Sequence, residues 1–479
     1  MYSMSRRNFL RSAASALAAA CVPRARAAAR PQRVAVVGGG MAGLVAAYEL
    51  MRAGHTVSLH EARERCGGRI RTRRNAFGDG LYVEEGAIDF GDGYTLIDQY
   101  LAEFAIPRAA PAPSAKAAEA EVYYVSGKRY LSAAGREPDW PYALSPSERR
   151  LGRRGLWEKY GHPAEAVLDE PFGSHSLSRA ARALDARSVA ELARRAGASD
   201  AAVLLMRQNF LGADYEHVSA LEDLLWQRFL DRSRTWSRLE GGNERLPQAF
   251  AERLGPRVFY GAQLRAFSQE RDGVRLTFSH GGAQQQVNAE RAVIAIPFSV
   301  LRGVEFGDAL ARHKRTVVEK LRYESVTCVQ LHARHRFWHQ AGLKGQASTD
   351  LPIGTVLDAS AGQHGEAGIL VTQATGGASR RLAALTPAER LSFALENVGR
   401  VYPGMGEAYA GGSSVCWDQE PFALGGWAYY APGEMNSLFP HVAVPDGRIH
   451  FAGEHTASTA FAEGAAQSGL RVAQEINAT

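Results

Sequence analysis

Val34-Ala35-Val36-Val37-Gly38-Gly39-Gly40-Met41-Ala42-Gly43 is the stretch on which the reading of this chain turns. A short β-branched run enters a glycine cluster. A helical pattern follows from Ala42 to Ala53 and stops at Gly54, and Thr56–His60 reads as a second strand ending at Glu61. Strand, glycine turn, helix and strand make one βαβ unit. Inside it, Gly38-x-Gly40-x-x-Gly43 has the form of a dinucleotide fingerprint. Gly38 makes the tight turn, Gly40 lets the backbone approach a pyrophosphate where Met41 and Ala42 open the helix, and Gly43 lets helix and strand pack closely. Glu61 stands where a carboxylate accepts hydrogen bonds from ribose hydroxyls.

The rest of the composition narrows the partners. The 479 residues suffice for two large domains or three average ones, and the formal charge of +6 invites a nucleic-acid or membrane reading. The location of the charge removes that invitation. Arg6, Arg7, Arg11, Arg24 and Arg26 fall in residues 1–27, which contain no acid, and the remainder carries 51 basic against 50 acidic residues. Ser5-Arg6-Arg7-Asn8-Phe9-Leu10-Arg11, the apolar run Ser12–Val22 and Ala25-Arg26-Ala27 together resemble a cleavable twin-arginine signal. The expectation is an exported protein, periplasmic or secreted, that uses the twin-arginine export machinery and folds around its cofactor first. No other apolar run reaches ~18 residues, so no transmembrane helix is expected. Cys66, Cys328 and Cys416 are too scattered for a disulfide framework or a metal site.

Further along, residues 109–118 read as a loop and Val122–Tyr130 as a hairpin turning at Ser126-Gly127. Ser178–Trp226 has a helical pattern, with Ser188 and Ser199 as N-caps and Gly197 and Gly212 as stops. Strand patterns return at 257–267, 274–279 and 291–296, and 323–333 alternates like a strand. A helix is expected near Pro387–Val401, a strand at Arg448–Ala452 and a last helix at Ala460–Ile476.

Directly after the βαβ unit comes Glu61-Ala62-Arg63-Glu64-Arg65-Cys66-Gly67-Gly68-Arg69. This motif resembles the flavin-containing amine oxidases, the group of monoamine, polyamine and L-amino-acid oxidases. Gly67 and Gly68 bring backbone N–H groups to the phosphates and Arg69 can neutralise them. Four later segments are similar to the same family. They are Glu240–Pro247, Ala295-Ile296-Pro297, Trp417 with Gly425-Gly426-Trp427, and Phe451–Thr456 followed by Phe461–Ala465. The resemblance implies an α/β fold, with a Rossmann-like FAD-binding domain interleaved with an α+β substrate domain. Residues 31–84, 235–300 and 417–479 would form the first, and 85–234 and 301–416 the second. It also implies FAD contacts from Ala62, Arg63, Gly86, Ala87, Leu264, Trp417, Gly453, Glu454 and Ala462.

The family oxidises a C–N bond by hydride transfer to flavin N5, and the imine then hydrolyses. Trp427 and Phe461 match its two aromatic faces, which favour a cationic amine on arrival. Gly426 stands where monoamine oxidases carry a flavin-linked cysteine, so the expected FAD is non-covalent. The family's lysine near N5 falls at Thr327 or Cys328, which leaves O2 or another electron acceptor open. L-amino-acid oxidases place a carboxylate-clamping arginine where this chain has Asp89. The expectation is therefore an amine substrate, with Asp89 either attracting a second ammonium or capping a local turn. An L-amino-acid oxidase using another arginine such as Arg322 is the alternative, with a flavin desaturase and a non-catalytic flavin binder behind it. A homodimer is compatible with the reading.

Overall fold

The computed structural model describes residues 30–74, 77, 80–109, 120–132, 137–161, 167–168, 177–208, 215–458 and 460–479. The expected export signal of residues 1–27, nearly all of the expected 109–118 loop and the expected stop at Gly212 lie outside these.

Strand Arg33–Val37 occupies the centre of a five-stranded parallel sheet. Thr56–His60 and then Val258–Phe259 lie to one side of it, and Arg291–Ile294 and then Ile449–Phe451 to the other. Strand order therefore reverses direction at Arg33–Val37, and a crevice opens beyond its C-terminal end. Helix Met41–Arg52 starts there, and its first ten residues are all buried. The last helix, Ala462–Asn477, lies across it. Contact is so close that a Cβ on Gly469 would overlap the Ala42 carbonyl oxygen. Glu463 of the same helix accepts hydrogen bonds from the Leu96 and Ile97 amides at 2.9 and 3.0 Å, satisfying free N–H groups of helix Thr95–Glu103.

A second, seven-stranded sheet runs in the order Tyr409–Cys416, Val326–Ala333, Gly368–Thr375, Thr355–Asp358, Leu343–Thr349, Ala120–Val125, Lys128–Ser132. Only Leu343–Thr349 with Ala120–Val125 pairs in parallel; the other pairings are antiparallel. The expected hairpin turns at Ser126-Gly127, both at positive φ. Helices capped by Ser178, Ser188 and Ser199 follow. Helix Pro387–Val401 begins with a capping box between Thr386 and Glu389.

The strand expected within 323–333 is Val326–Ala333, and all eight of its residues are buried. Alternation in the sequence reflects polar groups that find partners inside. Thr327 Oγ1 lies 2.9 Å from Ser379 Oγ, and Gln330 Oε1 accepts from Ser413 Oγ at 2.8 Å. The whole is an α/β fold with a Rossmann-like part and a second α+β part. Among the described residues no helix is long and apolar enough to cross a membrane, and no cluster of potential metal ligands occurs.

Candidate active site

A single cavity of about 920 Å³ is walled by residues of both sheets. Its first end lies at the reversal point of the parallel sheet. Gly38, Gly40, Met41, Ala42, Glu61, Ala62, Arg63, Gly67, Gly68, Arg69 and Leu264 line it. Gly86, Ala87, Trp417, Gly453, Glu454 and Ala462 line it further along. Gly43 alone of the expected cofactor residues stays off the wall. Its Cβ would overlap the Gly38 carbonyl oxygen, so its role is packing between turn and helix.

This end fits a dinucleotide. Helix Met41–Arg52 starts at Gly40 with no side-chain cap and no acid in its first turn, leaving its N–H groups for an anion. A Cβ on Gly40 would meet nothing within 4 Å, so the cavity comes up to the bare backbone. The buried Glu61 carboxylate accepts from the Gly39 amide at 2.7 Å and the Arg63 amide at 2.9 Å, with lone pairs left for hydroxyls. Burial raises its pKa, and the two amides and Arg63 oppose that shift. Arg69 Nη1 reaches Glu454 at 2.7 Å and the Gly426 carbonyl at 2.8 Å, tying the second motif to the C-terminal one. Gly86 packs against the Arg69 carbonyl, where any Cβ would collide, and Trp417 Nε1 donates to the Glu85 carbonyl at 2.9 Å.

The other end is aromatic. Trp427 and Phe461 both line the cavity, and Trp226 stands between them. Its ring centroid is 6.2 Å from Trp427 and 5.6 Å from Phe461. Phe461 is held from behind by Phe229, stacked at 5.2 Å. Sequence reasoning missed Trp226. It lies on helix Ala220–Leu230, and its only signal is the Trp226–Leu230 spacing that puts both side chains on one face. That helix is anchored to the strand after Trp427 by Glu222, which accepts from the Tyr430 amide at 2.7 Å.

Of Thr327 and Cys328, Cys328 is the one that faces the cavity, whereas Thr327 turns away toward Ser379. Burial pushes the Cys328 thiol up to about 12, so it is uncharged at neutral pH. Asp89 also lines the cavity, but its carboxylate is ion-paired with Arg238 at 3.2 Å. A second ammonium would compete with that guanidinium. Arg322 is half-exposed and paired with Glu434 at 2.9 Å, and it does not reach the cavity. Among the described residues, the arginines that line it are Arg63 and Arg69, both at the cofactor end. Cys66 and Cys416, like Cys328, are buried and free.

Residues 41–477 match the family of flavin containing amine oxidoreductases. The chain is 29% identical to YobN of Bacillus subtilis (strain 168), which carries the provisional name of an L-amino-acid oxidase, over 94% of this chain and 96% of YobN. It is 26% identical to the L-amino-acid oxidase of Pseudechis australis, over 93% of this chain and 87% of that protein. In three dimensions it resembles putrescine oxidase bound to putrescine, with a TM-score of 0.79, 22% identity and coverage of 94% and 100% of the two chains. Cyclohexylamine oxidase from Brevibacterium oxydans IH-35A gives 0.76 at 22% identity, covering 94% and 98%.

Proposed function

This chain belongs to the flavin-containing amine oxidoreductases, and on that premise we propose that it binds FAD without a covalent link and deaminates an amine rather than an α-amino acid. One observation carries the choice of substrate. Among the described residues the substrate end has aromatic walls and no arginine to clamp a carboxylate. Gly38, Gly40, Glu61, Gly67, Gly68 and Arg69 would hold the dinucleotide, with Gly86, Trp417, Gly453 and Glu454 nearer its redox-active ring. Support for a non-covalent link comes from Gly426, where a Cβ would collide with Val326, and from Cys416, which lies off the cavity wall.

When bound, FAD supplies the acceptor for the hydride that leaves the carbon next to nitrogen. Trp427 and Phe461 receive the amine as a cation on their π faces and orient it. Their apolar surroundings then favour loss of its proton to the reactive neutral form. The imine product takes up water and yields a carbonyl compound and ammonia or a smaller amine. Cys328, an uncharged thiol, offers no ammonium beside the reacting centre, so O2 or a different electron acceptor completes the cycle.

The test is an anaerobic titration of the yellow protein with amines and L-amino acids while the 450 nm flavin band is followed. Bleaching by amines supports the proposal, and bleaching by amino acids alone overturns it in favour of the L-amino-acid oxidase reading that the named relatives suggest. We further assign residues 31–84, 235–300 and 417–479 to the cofactor unit and 85–234 and 301–416 to the substrate unit. Residues 1–27 are proposed to direct export by the twin-arginine route.

A further inference from the structure

We propose that Trp226 determines specificity, selecting amines that carry one cationic nitrogen and an aromatic or similarly broad apolar body. This deepens the proposed amine reading and rests on it. Six aromatic side chains follow the cavity from the reacting end to its mouth. Trp427, Trp226 and Phe461 form the inner group, and Tyr94, Phe90 and Trp236 the outer one. Phe229 bridges them from behind, 5.2 Å from Phe461 and 5.3 Å from Tyr94. Trp236 stands edge-on to Tyr94 at 5.8 Å and is 41% exposed, so the aromatic wall reaches solvent. Trp226 meets Trp427 at 63° and Phe461 at 59°, which turns a two-sided cage into a three-sided one. A planar body inserted there finds a ring edge or face on each side.

Charge completes the argument. Among the described residues, the carboxylates that line the cavity beyond Glu61 are Glu85, Asp89, Asp231 and Glu454, of which Glu85 is paired with Arg71 and Arg73 and Glu454 with Arg69. Arg238 neutralises Asp89 and is itself committed, donating to the carbonyls of Asp358 and Ala359. Asp231 lies exposed at the C-terminal end of helix Ala220–Leu230. Short of exposed Asp231, the aromatic wall therefore offers the distal ammonium of a short linear diamine no free counter-charge, which is costly. An aromatic monoamine meets no such cost.

Fixed cations that cannot be deprotonated test this by binding alone, read from perturbation of the flavin spectrum of the holoenzyme. Benzyltrimethylammonium should bind at least about tenfold tighter than hexamethonium, a linear dication. In Trp226→Ala the benzyl probe should lose about tenfold in affinity while tetramethylammonium changes less than about twofold. Where Trp226→Ala fails to retain flavin, Trp226→Leu keeps an apolar wall without a ring face and should show the same selective loss. Hexamethonium binding as tightly as the benzyl probe, or an unchanged benzyl affinity in the variants, overturns the proposal. If amines bleach the flavin yet the probes show no discrimination, this inference alone falls. If no amine bleaches it, the amine reading falls as well.

Discussion

The two ends of the cavity are built from different materials. At the cofactor end the wall is mostly backbone. Gly38, Gly40, Gly67 and Gly86 expose it, and the nearby carboxylates are paired: Glu61 with two amides, Glu454 with Arg69. At the substrate end the wall is side-chain rings drawn from four separate stretches of chain. A backbone wall tolerates little substitution where a Cβ would meet another carbonyl oxygen, as at Gly38, Gly67 and Gly86, whereas a ring wall can exchange one shape for another. Sensitivity to mutation should therefore appear as loss of cofactor at the first end and as altered turnover or selectivity at the second.

Gly43→Ala should break the contrast most severely. Its Cβ has no space against the Gly38 carbonyl, so a destabilisation of ~3 kcal/mol or more and a colourless protein are expected. A yellow, stable variant would show that the turn can relax. Trp427→Ala and Phe461→Ala should keep the yellow colour and lower turnover by roughly 10- to 100-fold, measured under saturating amine. Unchanged turnover in both would remove the cage from the mechanism.

A third effect lies in stability against pH. Burial lifts Glu84 and Asp223 each to about 7, so the folded protein retains protons that the unfolded chain releases near the ordinary carboxylate range. The stability these protons confer is complete below the unfolded values and is lost as pH rises through about 7. Melting temperature should fall over that window. Glu84→Gln, which keeps an oxygen for the Asn243 amide, should remove up to ~3 kcal/mol of the dependence. An identical pH slope in that variant would contradict the assignment. The smallest effect is expected from Arg238→Met. Removing the partner of Asp89, whose side chain is 36% exposed, should tighten diamine binding by only about threefold.

The same contrast explains what could be read from the sequence. Backbone geometry forces glycine at fixed spacings, so Gly38, Gly40, Gly67 and Gly68 announced the cofactor end and the parallel sheet. Trp427 and Phe461 were legible through the motifs beside them. Trp226, Tyr94 and Trp236 were not, because a ring lining a cavity leaves the same trace in a helix or strand as a ring filling a core. Asp89 was visible, but its partner Arg238 lies far along the chain and became apparent only when the short strands Phe90–Gly91 and Trp236–Ser237 paired. The full burial of Val326–Ala333 was hidden likewise, since Thr327 Oγ1 and Gln330 Oε1 find their partners in the distant Ser379 and Ser413.

The packing of helix Ala462–Asn477 across Met41–Arg52 has a consequence for biosynthesis. The opening segment of the cofactor crevice is translated early, yet Glu454, Phe461 and the helix that buries Ala42 and Ala46 come from the closing stretch. While the ribosome still holds that stretch, the nascent polypeptide has one wall of its pocket missing. Cofactor capture therefore has to wait until residues 454–477 have emerged, and a chain cut short before Glu454 should be colourless.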